Sequence, residues 1–125
     1  MNTIIGRIAI ALILCAAGIA NAATAIVHYQ RPGGDYAGWG LHVWGTGLAA
    51  GEATGWTSPK AFSGSDAFGR SATIQVSNTA AQVGFVIHSG DLKDTANDRF
   101  FVPANSPEIW IRQGDATVHT SNPSS

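Results

Sequence analysis

The stretch GWGLHVWG, residues 38–45, sets two tryptophans and a histidine close together and flanks them with glycines. Its residues do not repeat at helical spacing, and read as a strand they sort cleanly, because successive side chains of a strand point to opposite faces. Trp39, Leu41 and Val43 then share one face, apolar throughout and suited to a core. Gly40, His42 and Trp44 share the other, and on that face a tryptophan and a histidine stand beside a glycine that leaves room. Two readings follow for the outward pair. It forms a flat aromatic platform on a sheet surface, or Trp44 is covered by a loop and His42 is an ordinary surface residue.

The same pattern of short apolar runs, bounded by Gly, Pro, Asn, Asp and Ser, recurs on both sides. Strands are predicted over 25–30 (AIVHYQ), 40–45, 72–76 (ATIQV), 83–88 (VGFVIH), 99–102 and 108–112 (EIWIR), with a last short one over 117–120. Between them lie RPGGDYAG, SGSDAFG, SGDLKDTAND and PANSP, each with the residues that chain reversals use. Residues 46–57 are rich in Gly and Ala and read as a long loop or a loop with one helical turn. Short strands at roughly ten-residue spacing, with turn signals between them, predict an all-β antiparallel sandwich.

Residues 1–22 stand apart. One cation, Arg7, precedes an apolar run from Ile8 to Ile19, and Ala20-Asn21-Ala22 offers small residues for cleavage. This is the pattern of an export signal, and the run is shorter than the ~20 residues a spanning helix needs. The expected product is secreted or periplasmic, with no membrane attachment after signal removal. Cys15, the chain's one cysteine, would leave with the signal, so the remaining domain, 23–121, folds without disulfides. Residues 122–125 read as a tail or the start of a linker.

Removing Arg7 leaves six cations against eight carboxylates, a net charge of −2. A domain so balanced lacks the basic patch of a nucleic-acid partner. Catalytic signatures are missing as well: no GxSxG, no HExxH and no phosphate loop. The four histidines, His28, His42, His88 and His119, are scattered, and no metal site or cofactor is expected. The most charged segment, GDLKDTANDRFF over 90–101, does not have the spacing of a calcium loop. It reads as a solvated loop, or as the polar rim of a binding site.

Four blocks, VHYQRPGGDYAGWGLHVW, WTSPKAFSGSDAFG, VGFVIHSGDLKDTANDRFF and EIWIRQGDATVHTS, resemble in order and spacing the carbohydrate-binding modules of family 41, the pullulanase-associated domain. The resemblance covers nearly all of 24–121. It implies an immunoglobulin-like β-sandwich that binds α-glucans such as amylose, glycogen and pullulan, and that has no catalysis of its own. It also implies a site. The glucan lies on aromatic side chains at alternate positions of the second strand, here His42 and Trp44, while a lysine and an aspartate of the charged loop, here Lys93 and Asp98, bond the sugar hydroxyls. Some relatives carry tryptophan at the position of His42, so one of the two planes is smaller here.

These implications fit the residues. A pyranose offers an apolar face of C–H groups to an aromatic plane and a fringe of hydroxyls to donors and acceptors. Trp56 and Trp110 are read as packing residues, with extension of the platform as the alternative. The expected partner is an α-glucan, met by a monomer or by a module tethered to a catalytic domain. Two other classes stay open: a glycosidase fragment using Asp91, Asp94 or Asp98, and a protein-interaction sandwich using Trp44 as anchor.

Overall fold

The computed structural model describes residues 22–124, so the predicted export signal lies outside the described residues except for Ala22, as does Ser125. Nine strands and no helix occur among the described residues. They are β1 (Ala23–Gln30), β2 (Gly40–Trp44), β3 (Lys60–Ala61), β4 (Gly64–Ser65), β5 (Arg70–Val76), β6 (Val83–Ser89), β7 (Leu92–Lys93), β8 (Arg99–Phe101) and β9 (Glu108–Arg112). One sheet has the order β4-β5-β1-β9, and the other β3-β2-β6-β7, with β8 also paired to β6. All pairings are antiparallel except β1 with β9, which is parallel. The expected all-β sandwich is the fold observed. The proposed last strand is reduced to one bridge, Trp110 to His119.

Period-two alternation builds the core. From the first sheet come Val27, Tyr29, Ile74, Ile109 and Ile111, and from the second Leu41, Val43, Phe85 and Ile87, all fully buried. Each occupies an inward position of its strand, the arrangement that packs two aligned sheets face to face. Trp39, just before β2, is partly buried against this core, and the Arg31 guanidinium lies 4.1 Å from its ring centroid.

A polar cluster closes one region of the sandwich. Asp94, with a side chain 1% exposed, accepts from the Tyr29 hydroxyl at 2.7 Å and from the Gly114 amide at 3.1 Å. Arg99 donates to its other oxygen at 3.4 Å, and Arg31 donates to Tyr29 Oη at 2.7 Å and to both oxygens of Asp35. Burial, followed by the bond to Asp94, holds the Tyr29 phenol well above its ordinary range. The expectation of a solvated loop therefore fails at Asp94. This residue anchors the chain between β7 and β8, which pair in turn with β6, and so fixes the segment that carries Lys93 and Asp98.

Candidate functional site

The outer face of the second sheet follows from its register. Gly40 pairs with His88, His42 with Val86 and Trp44 with Gly84. Across β6, His88 pairs with Lys93 and Gly84 with Phe100. Residues directly opposite in antiparallel strands point to the same face, so His42, Trp44, His88, Lys93 and Phe100 share this surface. Asp98 enters it just before β8, near enough to His42 to act on its charge.

Trp44 lies across Gly84. A Cβ at that position would come within 2.6 Å of the indole Cζ2 and Nε1, so only glycine lets the ring rest on the strand. Trp44 is partly exposed, and Phe100, itself exposed, meets it edge-on at 6.1 Å. The His42 ring is 5.2 Å from Trp44 and tilted 38° to it. His42 is held from the other side, where Nδ1 is 2.8 Å from Thr54 Oγ1, which also accepts the Val43 amide at 3.0 Å. Burial, followed by the neighbouring His88, lowers the His42 pKa, against the opposing pull of Asp98. The imidazole is therefore neutral at pH 7, a polar ring rather than a cation.

The segment over 46–59 is a loop of turns with no helical turn. Glu52 and Lys60 close its base with an ion pair at 2.7 Å, and a tight turn from Gly55 to Ser58 presents Trp56 at its tip. Trp56 stacks on His88 at 3.7 Å and 6°, stands nearly perpendicular to His42 at 5.5 Å, and donates its indole N–H to Asp91 Oδ1 at 3.0 Å. Trp56 is thus more than a packing residue: it lies on the same surface as His42 and Trp44. Trp110 does not, because it belongs to β9 in the other sheet and stacks on His28 at 5.0 Å.

The four residues singled out in the sequence therefore share one face, and Lys93 and Asp98 are both exposed. Sequence reasoning left Trp56 between packing and extension of the platform, and missed His88 and Asp91 as members of the surface. Alternation along VGFVIH does turn Gly84, Val86 and His88 outward, so His88 was open to the same argument that placed His42. Trp56 sits in an irregular loop, and no periodicity could orient it. Among the described residues no group of His, Cys, Asp or Glu could hold a metal ion.

A family model described as Bacterial pullanase-associated domain matches residues 23–120. An α-amylase of Streptomyces lividans is 36% identical over 75 residues, a match covering 60% of this chain and 8% of that one. The structure of the multi-modular glycogen-degrading pneumococcal virulence factor SpuA superposes with a TM-score of 0.70 at 24% identity, over 79% of this chain and 11% of that chain. A family 41 carbohydrate-binding module structure, from work on α-glucan recognition by streptococcal virulence factors, gives a TM-score of 0.68 at 18% identity, over 79% of this chain and 47% of that chain. The chain thus spans less than half the length of these three, and the structural likenesses establish the sandwich fold.

Proposed function

This chain belongs to the pullulanase-associated domain family, and from that premise we propose that it is an exported, non-catalytic α-glucan-binding module whose ligand rests on Trp44 and His42. The observation that carries the proposal is the pair of partly exposed rings, 5.2 Å apart and inclined by 38°, with Lys93 and Asp98 exposed on the same face. The side chains of Lys93 and Asp98 have no ion-pair or hydrogen-bond partner among the described residues, so both are free to meet sugar hydroxyls.

The chemistry divides between the two kinds of group. Indole buries the C–H face of one glucosyl ring. Lys93 donates to a hydroxyl or ring oxygen, and Asp98 accepts hydroxyl hydrogens in charge-assisted bonds. When the Thr54 hydroxyl donates to Nδ1 of His42, the imidazole proton resides on Nε2 and is available to a sugar oxygen. An α-1,4 chain turns from one ring to the next, and inclined planes follow such a turn where a coplanar row would suit a flat chain.

Each stacked ring is worth about 1–3 kcal/mol, by analogy with bases stacked on aromatics, and each charged hydrogen bond roughly 1.5–3 kcal/mol. After the cost of association, the dissociation constant falls between about 1 μM and 1 mM. Affinity of that order suits reversible tethering, with any cleavage performed by a separate catalytic domain. The glycosidase reading is weakened by Asp94, which is committed to Tyr29, Arg99 and Gly114.

Affinity electrophoresis tests the proposal. The domain should be retarded in a gel containing glycogen or amylose and should migrate freely in one containing cellulose derivatives. Equal mobility in all gels would refute glucan binding, and release of reducing ends from pullulan by clean protein would refute the non-catalytic assignment.

A further inference from the structure

Along β2 the outward positions are Trp44, His42 and Gly40, and Gly40 has no side chain to continue the row. Pro59 closes on it: a Cβ at Gly40 would come within 2.9 Å of that proline's ring. The vacant place lies beside His88, the pairing partner of Gly40, and it is over His88 that Trp56 stacks. A loop residue thus supplies the ring that the strand omits. The three rings follow one another at 5.2 and 5.5 Å.

The orientation of Trp56 is fixed from two sides. His88 supports one face, and Asp91 holds the indole N–H. His42 is inclined 38° to Trp44 and 81° to Trp56, and the difference, 43°, is the least angle the two indole planes can make. The row therefore turns as it advances.

Beyond it lies a hollow of about 240 Å³ lined by Gly38, Trp56, Pro59, His88, Gly90 and Asp91. This is below the ~300 Å³ at which pockets for drug-sized ligands begin, a size for one sugar ring rather than several. His88 is 1% exposed and bonds the Gly90 carbonyl through Nδ1 at 2.7 Å. A carbonyl only accepts, so Nδ1 carries a proton, and in the neutral ring Nε2 is left as an acceptor. That Nε2 is buried and has no partner among the described residues. An unmet acceptor on a ring lining the hollow is complementary to a hydroxyl.

We infer that Trp56 and the hollow beside it, with Asp91 and His88, form an additional subsite for one more α-linked glucosyl unit, reached by a chain already seated on Trp44 and His42. The inference rests on the proposed glucan reading and extends it: the site measures chain length. Maltose occupies the Trp44 and His42 end, and a third or fourth ring is needed to engage Trp56. Asp91 acts twice, holding the indole through Oδ1 and offering Oδ2 to a hydroxyl.

Calorimetric titration of the described domain with maltose, maltotriose and maltotetraose tests this in wild type, Trp56→Ala, Asp91→Ala and Trp44→Ala, with melting temperatures measured for each. Wild type should gain roughly tenfold in affinity from maltose to maltotetraose, within the range set by stacking of one ring. Trp56→Ala should keep maltose affinity within about twofold and lose that gain, and Asp91→Ala, a change at an exposed residue, should lose part of it at an unchanged melting temperature. A gain undiminished in both variants overturns the subsite while leaving the glucan reading intact, provided Trp44→Ala still abolishes binding. Absence of any response in wild type, or a Trp44→Ala variant that binds every sugar as wild type does, overturns the glucan reading and the subsite with it.

Discussion

Substituting Gly84 by alanine tests the platform without replacing any ring. The new Cβ would stand 2.6 Å from Cζ2 and Nε1 of Trp44, where ordinary contact begins at 3.4 Å. Cε2 would be closer still, so the indole must lift by about 1 Å or swing aside, because the Cβ on β6 has no freedom to yield. Gly84 lies in regular pairing with Trp44 and Phe100, so alanine fits the backbone and recovers about 0.5–1 kcal/mol of strand entropy, offsetting the loosened contact. The melting temperature should stay within a few degrees of wild type. Binding should not: a displaced stacking plane forfeits about 1–2 kcal/mol, a factor of roughly 5–30 in Kd. Fluorescence titration with maltotetraose reads the change directly, since Trp44 is both probe and platform. Unaltered affinity at unaltered stability would show that no sugar rests on that indole.

Further outcomes follow from the same geometry. Lys93→Ala with Asp98→Ala should weaken glucan binding at least about tenfold, the worth of one or two charged hydrogen bonds, with little effect on melting because both side chains are exposed; equal affinity would remove the polar half of the site. Asp94→Ala strips Arg99 and Tyr29 of a buried partner and should cost about 3–5 kcal/mol of stability, seen as a fall of at least ~10 °C in melting temperature; a fall of only a degree or two would contradict the anchoring role. Because the His42 pKa is lowered in the folded state, the unfolded chain takes up this proton first as pH falls. That contribution to stability is complete above about 6.5, the unfolded histidine value, and is lost as pH drops from there toward the folded pKa. His42→Phe should therefore lose less stability than wild type between neutral and mildly acid pH in denaturant titrations, and identical losses would contradict the assignment.

The longer strands were legible because their alternation is regular: ATIQV and EIWIR each put one apolar face inward, and both were placed nearly to the residue. Strands of two residues, β3, β4 and β7, are too short to show a period, and the parallel pairing of β1 with β9 depends on contacts far apart in sequence. His42 and Trp44 were assigned to one outward face by alternation alone, and the resemblance to family 41 modules added Lys93 and Asp98. Asp94 was read as solvated because a carboxylate in a polar loop usually is, and nothing local announces Tyr29 and Arg99 as its partners. Trp56 stayed undecided between packing and platform for a related reason. Its orientation is set by Asp91 and His88, which are distant in sequence, so only the folded chain shows that it completes the row.

The central claim is that an α-glucan lies on the indole of Trp44, and its most direct test is a maltotetraose titration of wild type and Trp44→Ala side by side. Wild type should bind with a Kd between about 1 μM and 1 mM, with a change in tryptophan emission, and the variant should show no saturable binding in that range while remaining folded. Saturable binding of the folded variant at wild-type affinity would contradict the account.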